Sequence, residues 1–158
     1  FGAPLMIHAA TRDGSLRQAA AKRGVPVLLY EGGEALRFDG TAIETGVDGI
    51  LRVMAALDMV PPRLVPDSPP VIEARSTRWV RASRGGILHP VVKLGQPVSH
   101  REKLAVIQDA FGDRSVRVTA PCDGIVIGYT RNPLVNQGDG IFHLAVLDEM
   151  RSHLPEQS

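Results

Sequence analysis

The sequence lacks the features that mark membrane-spanning, secreted or nucleic-acid-binding proteins. Its single cysteine, Cys122, excludes an intramolecular disulfide, which fits a reducing compartment, so we expect a cytoplasmic protein. The formal net charge of +1 gives no electrostatic reason to expect nucleic acid or a membrane surface as a partner. No apolar run approaches the roughly 20 residues of a membrane helix. The chain opens at Phe1 with neither an initiator Met nor a signal peptide, from which we expect it to begin inside a longer protein.

The first part of the chain alternates between strand-like and helix-like segments. Residues 4–10 form a short apolar run typical of a buried strand. Ser15 is suited to cap a helix over residues 16–23, which Gly24 ends. Residues 25–30 are apolar on both faces, as in a buried parallel strand.

A second helix is predicted from Thr41 to about Met59, where apolar residues recur every three or four positions. The order strand, helix, strand, helix predicts an α/β pattern with a parallel sheet. Two strands and two helices do not close a core, so we interpret residues 1–60 as the C-terminal part of a larger α/β domain.

The composition then changes twice. Five prolines crowd residues 61–75, which is typical of a partly extended linker. Residues 76–150 consist of short β-type runs with many glycines and no helical period, which predicts a small all-β domain. Residues 151–158 are interpreted as a tail.

The predicted β domain contains a weak internal repeat. Gly86 and Gly124 each open a Gly-Ile-apolar triplet, and Val98 and Val135 follow them. From each of these valines a leucine or isoleucine stands at +6 and another at +9. Such paired halves predict one duplicated β unit folded against itself.

This two-half layout resembles that of biotinyl and lipoyl carrier domains. Those domains present a modified lysine between the halves, whereas residues 108–114 of this chain contain no lysine. Where carriers often have a Val-x-x-Gly turn, the first half has Val98-Ser-His-Arg101. A carrier function is therefore disfavoured.

Seven short motifs follow one another along the chain: Phe1-Gly-Ala-Pro4, Asp13-Gly-Ser-Leu-Arg17, Gly24-Val-Pro26, Tyr30-Glu-Gly-Gly33, Gly85-Gly-Ile-Leu88, Pro121-Cys-Asp-Gly-Ile-Val126 and Asn132-Pro-Leu-Val-Asn-Gln-Gly-Asp139. Their order and spacing resemble the succinylglutamate desuccinylase/aspartoacylase family, nearly throughout the chain. The resemblance implies the α/β remnant of a zinc carboxypeptidase-like (phosphorylase/hydrolase-like) domain, followed by a small all-β, barrel-sandwich-like domain. It implies a zinc-dependent deacylase, an amidohydrolase that cleaves the amide of an N-acyl amino acid or a similar small molecule.

The same resemblance implies where zinc binds. In the family two histidines and a glutamate hold the metal, and the motif His-x-x-Glu, followed much later by another His, should precede Phe1. We therefore expect zinc in the full-length parent, and neither a metal ligand nor a cofactor in this chain, which alone is predicted to be inactive. The histidines present are interpreted as structural or surface residues: His8, His89, His100, His143 and His153.

Glu31 is the predicted catalytic residue. It follows the predicted strand at residues 25–30, and open α/β sheets bind their ligands at such strand ends. The resemblance implies that Glu31 is the general base that takes a proton from the attacking water and returns it to the leaving amine. Glu34 is the rival carboxylate, and local capping or pairing is the alternative for both.

Two arginines are candidates for binding a substrate carboxylate, because a guanidinium matches it bidentately. Arg17 ranks before Arg12 because it lies in the Asp-Gly-Ser-Leu-Arg motif, although an ordinary surface role fits both. Cys122 is interpreted as a buried structural thiol. Trp79 stands within a row of arginines that we interpret as solvated: Arg75, Arg78, Arg81 and Arg84.

Two further hypotheses stay open. In the first, the β domain is a ligand- or partner-binding module on a degenerate hydrolase scaffold. In the second, the whole chain is a non-catalytic relative of the family. The expected partner is a small-molecule N-acyl amino acid substrate, with no nucleic acid and no membrane. A homo-oligomer remains open, because an exposed apolar sheet edge would lead the isolated chain to self-associate.

Overall fold

The computed structural model describes residues 1–61, 66–67 and 70–146. The chain divides into two compact units, Phe1–Glu73 and Ala74–Ser158. The predicted tail at 151–158, the end of the predicted β domain at 147–150 and parts of the predicted linker lie outside the described residues. In the described part of the chain, no helix is both long enough and apolar enough to cross a bilayer.

The first unit contains two helices and a small sheet. Its elements are β1 (Leu5–Ile7), α1 (Leu16–Ala21), α2 (Gly40–Ala56) and β2 (Ile72–Ala74), whose last residue, Ala74, is the first residue of the second unit. β1 and β2 form a two-stranded sheet. The strand predicted at residues 4–10 is confirmed over Leu5–Ile7, but its predicted burial is wrong, because Met6 and Ile7 are 39% and 38% exposed. Both predicted helices are confirmed, with slightly different bounds.

Side-chain caps fix the starts of both helices. The Ser15 hydroxyl accepts a hydrogen bond from the backbone N–H of Gln18 at 3.1 Å, as expected from the sequence. The Asp39 carboxylate accepts one from the N–H of Ala42 at 3.0 Å and so begins α2. α2 ends before the predicted Met59 because Asp58 adopts a left-handed conformation, with φ of 56°, which closes the last turn.

Residues 25–30 do not form the predicted buried strand. Four of their apolar side chains are exposed, from 40% for Val27 to 67% for Leu28. A strand needs a neighbour for its backbone N–H and C=O groups, and no strand in the described part of the chain pairs with this segment. The prediction of a parallel sheet within residues 1–60 is therefore wrong for this chain. The composition suits a buried strand, but burial requires a partner that these residues do not find here.

The second unit is all-β over its described residues, as predicted. Its eight strands are β3 (Thr77–Arg81), β4 (Gly86–Pro90), β5 (Pro97–Val98), β6 (Lys103–Gln108), β7 (Ser115–Thr119), β8 (Gly124–Tyr129), β9 (Leu134–Val135) and β10 (Gly140–Val146). They form two four-stranded sheets, in the orders β3-β10-β8-β5 and β7-β6-β4-β9. Neighbouring strands in both sheets pair antiparallel, and the described strands do not close a barrel.

The sheet orders confirm the predicted duplication. Each strand of the first half has a counterpart in the second half: β3 with β7, β4 with β8, β5 with β9 and β6 with β10. When every strand is exchanged for its counterpart, one sheet order becomes the other. Each sheet therefore takes two strands from each half of the repeat. The connection between the halves, predicted at residues 108–114, is the hairpin turn between β6 and β7.

The core of the second unit is built from the repeated apolar positions. Leu104 and Ile107 of β6 and their counterparts Ile141 and Leu144 of β10 are each 0% exposed. Phe142 and Val126 join them as the largest fully buried side chains. Burial of one such side chain stabilises a fold by roughly 1.5 to 3 kcal/mol, which explains why these positions carry the repeat signal.

Candidate functional site

Tyr30, the residue before Glu31, holds the loop that carries Glu31 against helix α2. The Tyr30 hydroxyl donates a hydrogen bond to the backbone oxygen of Ala42 at 2.9 Å. The Tyr30 ring also lies against Phe1, with 5.2 Å between the ring centroids. Glu31 itself is exposed. The structure therefore positions the backbone of Glu31 through Tyr30, while its carboxylate faces solvent.

Three glycines make room for these two rings. A Cβ on Gly32 would lie 2.6 Å from the Tyr30 hydroxyl oxygen, and one on Gly46 would lie 3.2 Å from Tyr30 Cε1. A Cβ on Gly49 would lie 2.5 Å from Phe1 Cε1. Because Gly46 and Gly49 stand three residues apart in α2, they form one notch on the helix surface, which receives both rings.

A shallow cavity of about 360 Å³ lies between this loop and α2. The loop side includes Tyr30, Glu34 and Arg37, and the α2 side includes the apolar residues Ile43, Val47 and Ile50. Glu34 and Arg37 form an ion pair, with 3.9 Å from Oε1 to Nε. Both side chains are exposed, so this pair adds little to stability. The cavity lining includes two carboxylates, Glu34 and the helix-capping Asp39, together with one guanidinium and an apolar wall.

The predicted site residues do not converge in the described contacts. Glu31 follows Tyr30 but is not among the residues that line the cavity, and neither are Arg12 and Arg17. Arg12 is exposed in the turn before α1, and Arg17 is half-buried within α1. Their catalytic and binding roles stay predictions. Glu34, the rival carboxylate, does line the cavity.

Arg52 of α2 has a structural role in the first unit that was not predicted from the sequence. Its guanidinium donates to the backbone oxygens of Phe1 at 3.0 Å, Pro66 at 3.2 Å and Asp67 at 3.1 Å. It also lies 3.7 Å from the carboxylate of Asp48, one helical turn earlier. The Asp48–Arg52 spacing of four is a pairing signal that the sequence did contain. Only 13% of the Arg52 side chain is exposed, so Arg52 ties two distant stretches of the first unit to α2.

Zinc does not fit the described residues. No group of three or more His, Cys, Asp or Glu side chains in the described part of the chain is arranged to hold a metal ion. His8 pairs with Glu73 at 3.4 Å on the surface, and His143 stacks on Trp79 with 4.3 Å between the ring centroids. One His-x-x-Glu does occur, from His153 to Glu156, outside the described residues. It follows the β domain, whereas the family motif is expected before Phe1.

The arginine row around Trp79 is mostly solvent-exposed. Arg75, Arg78 and Arg81 are exposed, and Arg84 is half-buried. Arg81 donates to the backbone oxygen of Gly138 at 2.8 Å, which links β3 to the turn before β10. Trp79 is 55% exposed, so its ring packs on one side only.

Solved structures with the same fold cover almost the whole of this chain. The apo structure of the ectoine utilization protein EutE (DoeB) from Ruegeria pomeroyi matches with a TM-score of 0.82 and 18% identity, over 92% of this chain and 47% of that one. A succinylglutamate desuccinylase/aspartoacylase from Rhodobacter sphaeroides matches with a TM-score of 0.79 and 20% identity, over 90% and 46%. An aspartoacylase family protein from Mesorhizobium loti matches with a TM-score of 0.67 and 18% identity, over 90% and 42%.

These matches show the fold. The chain spans slightly less than half the length of these structures and matches their C-terminal part. The resemblance predicted from the seven motifs is thereby confirmed as a shared fold. No protein-family model and no curated protein matches the sequence.

Proposed function

We propose that residues 1–158 are the C-terminal part of a zinc-dependent deacylase that cleaves the amide of an N-acyl amino acid or a similar small molecule. The observation that supports this proposal is the fold shared over 92% of the chain with proteins of the succinylglutamate desuccinylase/aspartoacylase kind. Tyr30, held against α2 by its hydrogen bond to Ala42, fixes the backbone on which the exposed Glu31 is presented.

Glu31 acts as the general base in the proposed reaction. Its carboxylate accepts a proton from the water that attacks the acyl carbon. It then delivers that proton to the leaving nitrogen as the C–N bond breaks, which yields a carboxylic acid and an amine. Arg17, with Arg12 as the second candidate, binds a carboxylate of the substrate through two parallel N–H groups.

The zinc of the proposed enzyme is held by residues outside this chain. The described residues do not fit a zinc site, and the resemblance implies ligands before Phe1, so the ligands are proposed in the part of the parent protein that has no counterpart in residues 1–158. Zinc supplies a Lewis acid for amide hydrolysis when bound. It follows from the proposal that residues 1–158 alone are inactive.

The test is deacylation of a panel of N-acyl amino acids by the zinc-loaded full-length parent, with Glu31→Gln compared with wild type. General acid–base catalysis contributes about 10²- to 10⁴-fold, so kcat/KM should fall at least about a hundredfold in the variant. Glu34→Gln is the matched control, and it should keep kcat/KM within a few-fold of wild type.

Each outcome has a distinct meaning. A large loss of kcat/KM in Glu34→Gln with none in Glu31→Gln would identify Glu34 as the general base. Equal activity in all three proteins would exclude both glutamates. A parent that binds no zinc and cleaves no member of the panel would favour the alternative, a ligand- or partner-binding β module on a degenerate hydrolase scaffold.

A further inference from the structure

The loop that carries Glu31 is bonded at both of its ends to one residue of α2. We call residues 30–39 the Glu31 loop. At its start the Tyr30 hydroxyl donates to the backbone oxygen of Ala42 at 2.9 Å. At its end the Asp39 carboxylate accepts from the N–H of Ala42 at 3.0 Å. Because Ala42 is the third residue of α2, the first turn of the helix holds the loop closed.

The Glu31 side chain has no anchor of its own. It is exposed, and within the described part of the chain no hydrogen bond or ion pair holds its carboxylate. Glu34, by contrast, pairs with Arg37 at 3.9 Å. Residues 31–38 also form no backbone hydrogen bond with the described residues. The direction of the Glu31 side chain therefore depends on the bond that the preceding residue, Tyr30, makes with α2.

Gly32 leaves room for that bond. A Cβ on Gly32 would lie 2.6 Å from the Tyr30 hydroxyl oxygen and 2.8 Å from Tyr30 Cζ. Gly32 is not among the described residues with a positive φ, so its backbone conformation is open to any residue. Gly33, with φ of 81°, is glycine for its conformation. At position 32 glycine is required by the space that the hydroxyl occupies.

We propose that Tyr30 is a positioning residue for Glu31, and that Gly32 is glycine so that the Tyr30 hydroxyl can reach Ala42. The inference rests on the proposed function, in which Glu31 is the general base. A general base must lie within hydrogen-bond reach of the proton it takes, and a displacement of about 1 Å can cost roughly 100-fold in rate. Tyr30 acts through the backbone it shares with Glu31 and does not touch the substrate.

A purely structural role for Tyr30 gives a different expectation. If the tyrosine only stabilised the first unit, its loss would lower the amount of folded protein by the same factor whichever residue stands at position 31. A positioning role requires that the effect disappear when the Glu31 carboxylate is absent. Tyr30→Phe separates the two roles because it keeps the ring against α2 and removes only the hydroxyl.

Steady-state kinetics of the zinc-loaded full-length parent give the first measurement. Tyr30→Phe should lower kcat at least about fivefold and leave KM within about twofold, because a displaced base weakens the transition state and not the binding of substrate. Tyr129→Phe is the matched control. It removes the same atom from the other tyrosine of the chain, in β8 of the second unit, and should change neither constant.

A double-mutant cycle with Glu31→Gln gives the second measurement. In the Glu31→Gln protein, the further change Tyr30→Phe should lower kcat by less than about twofold, because no base remains to be positioned. The same fold-loss in both backgrounds would overturn the proposal, since it would show that Tyr30 acts independently of Glu31.

Gly32→Ala tests the space beside the hydroxyl. Its Cβ should displace the hydroxyl from Ala42 and reproduce the loss of kcat seen in Tyr30→Phe. Gly40→Ala is the control, because a Cβ at that position would meet nothing within 4 Å, and it should keep the wild-type kcat. Wild-type kcat in Gly32→Ala would overturn the role assigned to Gly32.

The contact with α2 has a readout that needs no activity. Alanine labelled with ¹³C at its carbonyl and isoleucine labelled with ¹⁵N give one doubly labelled peptide group in residues 1–158, between Ala42 and Ile43. In the full-length parent its carbonyl resonance should move upfield in Tyr30→Phe, because the oxygen loses a hydrogen bond, and should not move in Tyr129→Phe. An unmoved resonance in Tyr30→Phe would overturn the proposal.

Failure of this inference is distinguishable from failure of the proposed function. A wild-type parent that cleaves no member of the panel would refute the proposed function and the catalytic role of Tyr30 with it, even where the Ala42 resonance moves. An active parent that shows equal losses in both backgrounds of the cycle would refute the role of Tyr30 alone.

Discussion

Replacement of Arg101 by glycine should stabilise the β unit. Arg101 lies in the turn between β5 and β6 with φ of 66°, a left-handed conformation that residues with a Cβ rarely adopt. Its counterpart in the second half of the repeat is Gly138, with φ of 92°. The N–H of Arg101 donates to the oxygen of Ala120 at 2.8 Å, and the N–H of Gly138 donates to the oxygen of Ala82 at 2.8 Å.

The rest of the two turns also matches. The Glu102 carboxylate accepts from the N–H of Ser99 at 2.8 Å, and the Asp139 carboxylate accepts from the N–H of Asn136 at 2.7 Å. The two copies therefore have the same hydrogen bonds and differ in whether glycine occupies the left-handed position. The difference isolates the conformational preference of one residue.

The magnitude follows from two opposing terms. A left-handed conformation costs a residue with a Cβ roughly 1 to 2 kcal/mol, and glycine relieves this strain. Glycine also gains freedom in the unfolded chain, which offsets about 0.5 to 1 kcal/mol. At the middle of both ranges, Arg101→Gly should therefore raise the free energy of unfolding by about 0.75 kcal/mol. For a domain of this size that corresponds to an increase in Tm of about 3 to 6 °C.

Thermal or urea unfolding of the chain measures the change. Trp79 is the single tryptophan and lies in β3, so its fluorescence reports on the β unit. The reciprocal variant Gly138→Arg is the control. A Cβ there would meet nothing within 4 Å, so conformation alone should lower stability, by about 1 kcal/mol. No change in either variant would refute the assignment of strain to the left-handed position.

Two further predictions concern the same unit. Phe142→Ala should lower the free energy of unfolding of the β unit by about 3 to 5 kcal/mol, because the Phe142 ring is 0% exposed. Phe111→Ala, at the 89% exposed hairpin tip, should change it by less than about 0.5 kcal/mol. Equal effects of the two variants in urea unfolding would contradict the described core. Gly124→Ala should prevent stable pairing of β8 with β10, because its Cβ would lie 2.5 Å from the backbone oxygen of Ala145. Gly128→Ala, with its nearest contact at 3.7 Å, should fold normally by circular dichroism, and a stably folded Gly124→Ala would refute the close approach.

The β unit could largely be predicted from the sequence because its signals coincide with its core. Val98 and Val135 are buried at 4% and 5% exposure, and the apolar residues at +6 and +9 from each are fully buried. Residues that must be buried in both halves leave the same spacing twice. The exchange of strands between the halves could not be predicted, because spacing identifies equivalent strands and does not say which of them pair.

The first unit shows the opposite case. Residues 25–30 have the composition of a buried strand, yet they are exposed and unpaired in the structure. The composition of a segment shows that it is suited to a buried strand. The hydrogen bonds of a strand, however, require a second strand beside it, which the segment itself cannot provide. The helices were predicted more accurately, because their hydrogen bonds and their caps at Ser15 and Asp39 are local.

The site was only partly accessible to sequence reasoning. Glu31 was selected because it follows a predicted strand and lies in a family-like motif, and its catalytic role stays a prediction. The fastening of that loop could not be predicted, because the contact between Tyr30 and α2 joins residues 12 positions apart. Gly46 and Gly49 were the available signal. Glycine within a helix costs about 1 kcal/mol relative to alanine, so two of them on one helix face indicate that something large packs there.

The two units differ in whether they bury their apolar side chains. In the β unit no half can complete a sheet alone, because β3 pairs with β10 and β5 pairs with β8 across the repeat. The exchange of strands buries the apolar side chains of both halves within a single core. The first unit contains helices with well-formed caps and an apolar stripe on α2, but no second half with which to make such an exchange among the described residues. The exposure of Leu28 and Val47 is the physical result, at 67% and 52%.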